Sequence, residues 1–285
     1  MVINYIKYRI TEFLYGVTKI PINKDALVLE VASGARPYWR SNVLLDKFVL
    51  DNSERSGDVT VDRDFVVSDV NKLPFKDKVF DFVIARHILE HLPEPENFLK
   101  ELERVAKAGY IETPSSISED MGGWDCHLWC VDVVDNKLKM MSKSKEPNSQ
   151  LKKIPQIFGV KAWESFISKH RSVFYTSYFW KDRIDFNIVN NGLIKKDLES
   201  TDTTFNIEQM RQYFWDRCSI KRKIKILIHK LRRSLFSKSK TYDLVDLLSC
   251  TKCKGGGGVN KFGGHLVCKE CGNEFKCIDG VPIML

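Results

Sequence analysis

Two pairs of cysteines in the last part of the chain have the spacing of metal ligands. Each pair is a Cys-x-x-Cys sequence, and 14 residues separate the pairs: the cysteines are Cys250, Cys253, Cys268 and Cys271. Thiolates two residues apart form a knuckle around a metal, and two knuckles complete a closed tetrahedral site. A segment of this size is too small for a stable core of its own. The spacing therefore predicts a structural Zn²⁺ site in residues 242–285.

A second set of chemically suggestive residues lies at the ends of predicted strands. Gly34 follows the first apolar run, where a tight turn brings the backbone close to a ligand. Glu30 is placed to hold the positive end of an amino acid or to orient this turn. Asp46 ends the next run, where α/β nucleotide sites place a carboxylate on ribose hydroxyls. Asp69 ends the third, within reach of an adenine amino group. Solvated loop acids are the alternative.

Short apolar runs separated by turns or helical patterns indicate the elements that position these residues. Continuous apolar runs are typical of buried parallel strands. A helix that starts near Pro95 and ends at Gly109 is predicted between the last two runs. The predicted strands are 26–32, 43–48, 65–70, 79–85 and 110–115. We therefore expect an α/β fold with a mostly parallel central sheet that binds ligands at the carboxyl ends of its strands.

Three segments of the chain carry a family resemblance. They are LEVASGARP (29–37), SDVNKLPFKDKVFDFVIARHILEHLPEPENFLKELERV (68–105) and GYIETPS (109–115). The middle segment is the most specific, because it combines an acid, Leu-Pro-Phe, Phe-Asp-x-Val and His-x-x-Glu-His. Over about residues 26–115 the chain resembles class I S-adenosylmethionine-dependent methyltransferases of the ubiquinone-biosynthesis-like type, which have a Rossmann-like fold. It departs from them at Ala32 and Arg36, where the family usually has glycines.

The resemblance implies a cofactor site for S-adenosylmethionine. Its residues are Glu30, Ala32, Gly34, Asp46, Asp69, Val70, Ala85 and His87. Glu30 and Gly34 would border the methionine part, Asp46 the ribose and Asp69 the adenine. Ala85 and His87 would lie where cofactor and acceptor meet. An NAD-dependent enzyme is disfavoured, because the first turn lacks G-x-G-x-x-G.

Methyl transfer from a sulfonium is an in-line displacement, in which alignment of the acceptor supplies much of the rate. A general base is needed only where the acceptor must lose a proton. His87, directly after the fourth strand, is the first candidate base, and His127 is a second. Glu90 and His91 fit capping or packing at least as well as catalysis.

The methyl acceptor stays open between a small molecule, a glycan or lipid precursor, RNA and protein. The chain has no Asn/Asp-Pro-Pro-aromatic sequence of amino-nitrogen methylators and no Pro-Cys nucleophile of cytosine methylators. The alternative function is an RNA-binding or scaffold protein built on a degenerate methyltransferase fold.

Positive charge is concentrated in one segment. Residues 217–240 hold ten Lys/Arg and no acid, so the net charge of +8 leaves about −2 for the rest. Apolar residues recur at helical spacing over 220–236. Three interpretations remain open: a helix docked through its apolar face with a solvated basic face, a helix that binds RNA phosphates, or one that lies on an anionic membrane surface.

The remaining predictions concern organisation. The cysteine pairs and the ending FKCIDGVPIML resemble short zinc-ribbon proteins, some of which stabilise tRNA, rRNA and protein methyltransferases. We expect a methyltransferase domain at 1–215, a basic helix or linker at 216–241 and a zinc module at 242–285. Within the first, a helix is predicted at 1–24, an irregular insert at about 116–180, and late β structure at 180–192 that closes the same sheet. The lack of a long apolar run or signal-peptide pattern predicts a cytoplasmic protein.

Overall fold

The computed structural model describes residues 19–51, 57–122, 124–143, 151–190, 220–237, 241–253 and 257–285. They divide into two compact units. The first takes its residues from Met1–Ile84, Arg104–Lys107 and Thr203–Leu285, and the second from Ala85–Glu103 and Ala108–Asp202. These units cut across the three segments predicted from the sequence.

Three short parallel strands form the centre of the first unit. They are β1 (Val28–Val31), β2 (Val43–Asp46) and β3 (Phe65–Val67), in the order β3-β2-β1, and every residue in them is buried. Leu29 lies opposite Val43, and Leu44 lies opposite Phe65. Burial on both faces explains why these strands are continuous apolar runs without alternation. The predicted α/β fold with a mostly parallel sheet is confirmed, although each strand is shorter than expected.

The cysteine-rich segment forms a small antiparallel sheet in the same unit. Its strands are β10 (Val259–Phe262), β11 (His265–Cys268), β12 (Glu274–Ile278) and β13 (Val281–Pro282), in chain order. A short helix, α7 (Leu244–Leu247), precedes them and is capped by the Asp243 side chain.

The tail after β13 pairs with β3. Ile283 forms a parallel bridge with Val67, and the Met284 N–H donates to the Val67 carbonyl at 2.8 Å. Val281 and Ile283 pack in the same apolar cluster as Leu44 and Phe65. The outer side of β3 is therefore covered by the end of the cysteine-rich segment, which satisfies backbone groups that an edge strand would expose.

The motif Leu-Pro-Phe at 73–75 contacts the start of the same segment. Phe75 forms an antiparallel bridge with Leu248, and the Ser249 N–H donates to the Pro74 carbonyl at 3.0 Å. Both Phe75 and Leu248 are fully buried. The cysteine-rich segment is thus joined to β3 at its end and to the loop after β3 at its start.

The basic segment forms helix α6 (Ile220–Phe236), and its orientation is opposite to the docked-helix interpretation. The apolar side chains at helical spacing point outward: Leu227 is 66% exposed, Leu231 59% and Leu235 64%. The opposite face packs on the first unit, where His229 is only 7% exposed. The expectation that the apolar face docks and the basic face is solvated is therefore wrong.

Strand β4 (Phe82–Arg86) continues from the first unit into the second, where it is followed by the single turn η1 (Leu89–His91). Helix α1 (Pro95–Val105) has the predicted apolar face, because Phe98, Leu99 and Leu102 are fully buried. The helix ends at Val105. Gly109, expected to end it, lies inside β5 (Ala108–Pro114).

Strand β5 pairs antiparallel with β8 (Tyr175–Lys181) over its whole length. The stretch 116–180, expected to be irregular, contains regular elements. Its helices are α2 (Ser116–Gly122), the 3₁₀ turn η2 (Leu151–Lys153), α3 (Ile154–Phe158), α4 (Val160–Lys169) and α5 (Arg171–Phe174).

A separate three-stranded sheet lies in the second unit. Its strands are β6 (Trp129–Val134), β7 (Lys137–Ser142) and β9 (Phe186–Val189), in the order β6-β7-β9. Asp135 and Asn136 join β6 to β7 with φ of 50° and 59°, the conformation of a tight hairpin turn. Since β9 pairs parallel with β7, the prediction that 180–192 closes the central sheet is wrong for this strand.

The predicted N-terminal helix falls mostly on residues 1–18, which lie outside the described residues. Residues 19–24 are not helical, although Ile20 is buried. Among the described helices, none has the length and apolar character needed to cross a membrane.

Candidate functional site

The turn after β1 has the backbone conformation that glycine favours. Gly34 has a φ of 54° and Ala32 a φ of 49°, so Ala32 holds a left-handed conformation that non-glycine residues rarely adopt. Between them, Ser33 is 5% exposed, and its hydroxyl has no hydrogen-bond partner among the described residues. The turn therefore presents a buried polar group for which a ligand would be the natural partner.

Asp46 fixes this turn from the end of β2. One carboxylate oxygen accepts the Gly34 N–H at 2.9 Å, and the other accepts the Phe48 N–H at 3.1 Å. The side chain is buried. Asp46 thus links the glycine turn to the end of β2, a role that the sequence prediction of a ribose ligand did not include.

Glu30 is also used to hold the loop. Its Oε2 accepts the Tyr38 N–H and the Ser41 hydroxyl, both at 2.7 Å. Glu30 is 1% exposed. Of the two roles predicted for it, contact with the cofactor amine or orientation of the loop, these hydrogen bonds favour the second.

Asp69 lies two residues beyond the end of β3 and is the more accessible of the two predicted nucleotide acids. Its side chain is 36% exposed, and Lys47 lies 2.8 Å from Oδ2. Oδ1 accepts the Asn71 N–H at 2.8 Å. The following residue, Val70, is buried. Among the predicted cofactor residues of the first unit, Asp69 keeps an accessible carboxylate.

The first-unit residues fit S-adenosylmethionine in the kinds of group they offer. The cofactor carries a charged amino-acid end, ribose hydroxyls and an adenine amino group. The Ser33 hydroxyl, the open turn at Gly34 and the accessible Asp69 carboxylate supply hydrogen-bonding groups of matching kind. Among predicted residues of the second unit, Ala85 is fully buried, and His87 belongs to a polar cluster of its own.

His87 stands between two buried carboxylates. It has a φ of 54°, and its side chain is 45% exposed. Nδ1 lies 3.5 Å from Glu90, and Nε2 lies 3.6 Å from Glu112. Glu90 and Glu112 are 1% and 3% exposed. A left-handed non-glycine residue that holds a half-exposed imidazole against two buried acids is typical of a functional site.

Further cations and aromatic rings complete this cluster. Arg171 lies 3.0 Å from Glu112 and over the Tyr175 ring at 4.1 Å, and the Tyr110 hydroxyl donates to Glu112 at 2.5 Å. Sequence reasoning missed Glu112, Arg171 and Tyr175. A single acid inside the apolar strand YIETP was a usable signal for Glu112. No local sequence pattern predicts that Arg171 contacts Glu112.

The carboxylates determine the charge of His87. Burial alone would lower the pKa of His87, but the carboxylates of Glu112 and Glu90, 3.6 and 3.5 Å from its ring nitrogens, raise the pKa to about 9. Burial would raise the pKa of Glu112, but His87 and Arg171 hold it far below its usual range. His87 is therefore protonated at neutral pH, which does not support its predicted role as a resting general base.

His127, the other candidate base, is held by Glu119. Its Nδ1 lies 2.5 Å from Glu119 Oε1, and Lys143 lies 2.9 Å from the other oxygen. Glu119 is 1% exposed. The ring of His91 lies against His127, with centroids 4.5 Å apart.

The four predicted zinc ligands lie together in the first unit, with their sulfur atoms within 4.8 Å of one another. Cys250 and Cys271 are 3.8 Å apart, and Cys253 and Cys268 are 3.7 Å apart. A tetrahedral site with Zn–S bonds of about 2.3 Å separates its sulfurs by about 3.8 Å. The geometry therefore fits a closed Cys₄ zinc site.

The two knuckles are built alike. The Lys252 N–H points to Cys250 Sγ at 3.3 Å, and the Glu270 N–H points to Cys268 Sγ at 3.5 Å. The Cys271 N–H lowers the pKa of Cys268 to about 7. Such backbone donors favour the thiolate form that binds metal.

Helix α6 contacts the loops that follow β1 and β2. Arg233 lies 3.5 Å from the buried Asp62, and the guanidinium of Arg232 lies over the Trp39 ring at 4.2 Å. Burial would raise the pKa of Asp62, but its hydrogen bond with Arg63 and the charge of Arg233 lower it. Two of the helix's cations are therefore turned toward the protein.

Comparison with known proteins finds a family match for part of the chain. Residues 44–111 match the model of the family described as Methyltransferase domain. Ajmaline N-methyltransferase of Rauvolfia serpentina is 42% identical over 45 residues, which make up 16% of this chain and 16% of that protein. The chain thus matches only a small part of the length of this curated relative.

The solved structures to which the chain is similar include one chain of the complex between the Haloferax volcanii Trm112 methyltransferase activator and a protein described as a methyltransferase. It is 15% identical, with a TM-score of 0.37, over 64% of this chain and 95% of that chain. An S-adenosylmethionine-dependent methyltransferase of Methanosarcina mazei is 17% identical, with a TM-score of 0.26, over 33% and 55%. The family match therefore places a methyltransferase domain at residues 44–111.

Proposed function

We propose that the chain transfers a methyl group from S-adenosylmethionine to an acceptor, with the cofactor at the carboxyl ends of β1, β2 and β3. The observation that carries this proposal is the glycine turn of a chain whose residues 44–111 match a methyltransferase domain. Asp46 fixes the turn through the Gly34 N–H, and the Ser33 hydroxyl is left for a ligand. The bound cofactor supplies a methyl group that is already activated as part of a sulfonium.

Each first-unit residue has a distinct task in this proposal. Ser33 and the turn at Gly34 bind the amino-acid end, and Asp69 accepts a hydrogen bond from the adenine amino group. Glu30 and Asp46 act through the loop, which they hold rigid. Rigid placement of a cofactor aligns the reacting atoms before the displacement, which is where much of the rate comes from.

The His87 cluster handles the acceptor. Because His87 is a cation at neutral pH whose two ring nitrogens face Glu90 and Glu112, it orients the acceptor through its positive charge and its half-exposed ring, instead of removing a proton. Its paired carboxylates hold the ring in place: Glu90 on Nδ1 and Glu112 on Nε2. An acceptor that already has a free lone pair needs no base for this transfer.

Isothermal titration with S-adenosylmethionine tests the proposal. Wild-type protein is expected to bind, and Asp69→Asn is expected to weaken binding by about tenfold, the effect of about 1.4 kcal/mol. The matched control is Asp77→Asn, which alters an acid that is 77% exposed and pairs with Arg104. Absence of binding in folded wild-type protein would refute the enzyme and favour the alternative of a non-catalytic scaffold.

We infer that the Cys₄ cluster binds a structural Zn²⁺ whose role is to hold the C-terminal tail on β3. The metal-bound ribbon fixes the position at which the tail begins. The tail then covers the outer side of β3, the strand that precedes Asp69. In this chain the zinc-ribbon segment would therefore stabilise the methyltransferase domain of the same polypeptide.

We also propose that α6 lies on an anionic membrane surface. RNA capture would need cations on the outward face, but Arg232 and Arg233 are turned toward Trp39 and Asp62. The outward face is apolar instead, and no described residue covers it. Exposed Lys223 and Lys230 lie along one side of this face, so an apolar stripe with a basic edge meets the solvent, as in helices that lie in the membrane interface.

A further inference from the structure

Three potential metal ligands meet in the second unit, well separated in sequence from the Cys₄ cluster. They are His91, at the end of η1, and Cys126 and His127, in the turn before β6. One nitrogen of each histidine and the Cys126 sulfur lie within 4.8 Å of one another. All three residues are partly buried. Two imidazoles and one thiol at such distances form a ligand set that suits first-row divalent metals.

The two segments that carry these ligands are joined by hydrogen bonds on either side of the cluster. The Leu128 N–H donates to the Glu90 carbonyl at 2.7 Å, next to His127 and His91. The indole N–H of Trp129 donates to the Leu92 carbonyl, also at 2.7 Å. Trp129 is 2% exposed. The ligands are therefore positioned by backbone and core contacts that do not depend on the metal.

Glu119 orients one of the ligands. Its 2.5 Å contact with His127 Nδ1 makes that nitrogen the donor, since the buried carboxylate accepts. The lone pair of His127 is then on Nε2. A carboxylate behind a histidine ligand is the usual arrangement around protein-bound metals, where it fixes the tautomer and raises the basicity of the ring. Lys143, 2.9 Å from the other oxygen, holds Glu119 in place.

We propose that His91, Cys126 and His127 bind a divalent transition metal, with Zn²⁺ as the expected ion, through two nitrogens and one sulfur. Three protein ligands leave one tetrahedral position for water or another small ligand. This distinguishes the site from the Cys₄ cluster, which is closed. The site does not rest on the proposed methyltransferase activity, because its ligands and its supporting carboxylate are defined without the cofactor.

The test is the metal content of the full-length protein. Wild-type protein is loaded with Zn²⁺ and the excess metal is removed. Elemental mass spectrometry is then expected to find two equivalents of Zn²⁺ per chain. Cys126→Ser and His127→Gln should each hold one. The matched control is Cys130→Ser, a nearby half-buried thiol whose pKa is raised to about 11 by burial and neighbouring acids. This variant should keep two.

Glu119→Gln provides a second measurement that removes no ligand. It should weaken the affinity of one of the two metals by about 10- to 100-fold in a chelator competition, with the other unchanged. Cobalt substitution separates the sites, because the Cys₄ cluster gives intense thiolate-to-metal absorption that Cys126→Ser does not remove. The proposal is overturned if folded wild-type protein holds a single equivalent that survives Cys126→Ser and Glu119→Gln, which would leave His91 and His127 as a packed imidazole pair.

Discussion

The Ser68 hydroxyl donates a hydrogen bond of 2.8 Å to the carbonyl of Met284, a residue 216 positions later in the chain. Ser68 is fully buried and directly follows β3. This bond lies between the strand that leads to Asp69 and the tail that follows the cysteine-rich segment. It connects the candidate cofactor site to the Cys₄ cluster within one compact unit.

Removal of metal from the Cys₄ cluster should therefore loosen β3. We expect hydrogen exchange of the amides of Val66 and Val67 to become faster after chelation, because the tail loses its fixed start. Amide exchange by mass spectrometry checks this, with β8 of the second unit as the internal control. Unchanged protection of β3 in protein shown to be metal-free would contradict the proposed structural role of zinc.

Asp46→Asn should reduce both stability and cofactor binding. An amide at this position keeps one acceptor, but its NH₂ group faces the Gly34 or Phe48 N–H. The loss of a hydrogen bond to a buried charged group costs about 1.5–3 kcal/mol, measurable by denaturant unfolding. Asp69→Asn, at a half-exposed side chain, should weaken binding with little change in stability. Equal stability losses in the two variants would refute this division of roles.

His87 should titrate far above an ordinary histidine. With its pKa raised from about 6.5 in the unfolded chain to about 9, its protonated form stabilises the folded state fully below pH 6.5. That contribution is lost as the pH rises from 6.5 through 9, and solvent screening reduces its size because the ring is half exposed. Histidine NMR signals followed over this range, with His87→Gln for assignment, provide the measurement.

The pH dependence of the methyl-transfer rate over the same range distinguishes two roles of His87 in catalysis. If cationic His87 orients the acceptor, the methyl-transfer rate falls as the pH passes 9. If His87 is a base, the rate rises toward that pH instead. A midpoint near 6.5 in the NMR titration would contradict the assigned pairing of His87 with Glu90 and Glu112.

The sequence was informative wherever structure depends on neighbouring positions. Continuous apolar runs predicted buried parallel strands, and the Cys-x-x-Cys spacing predicted which sulfurs lie together. The Asp135–Asn136 turn between alternating residues was an available hairpin signal that the sequence interpretation did not use. Its left-handed residues are typical of two-residue hairpin loops.

Contacts between distant segments could not be predicted in this way. Arg171 reaches Glu112 because α5 leads into β8, and no periodicity encodes that meeting. Helix α6 shows a different limit: its periodicity predicts an amphipathic helix but not the face that docks. The specific partners Trp39 and Asp62, for Arg232 and Arg233, determine the orientation. They belong to the loops after β1 and β2, and Asp62 lies 171 residues before Arg233.

The outward face of α6 gives the last prediction, which concerns membrane binding. Full-length protein should sediment with vesicles that contain phosphatidylglycerol and less with pure phosphatidylcholine, because each Lys or Arg near an anionic surface contributes about 1 kcal/mol. The double variant Leu227→Ser/Leu231→Ser should lose most of this binding, since it removes apolar area from the interface but leaves every charge. Ile157→Ser is the matched control, because Ile157 is an 80% exposed apolar residue on α3. Binding to a homopolymeric RNA with no vesicle binding would contradict the membrane proposal. A wild-type dimer that becomes a monomer in the double variant would also contradict it, because the face would then belong to an interface with a second copy of the chain.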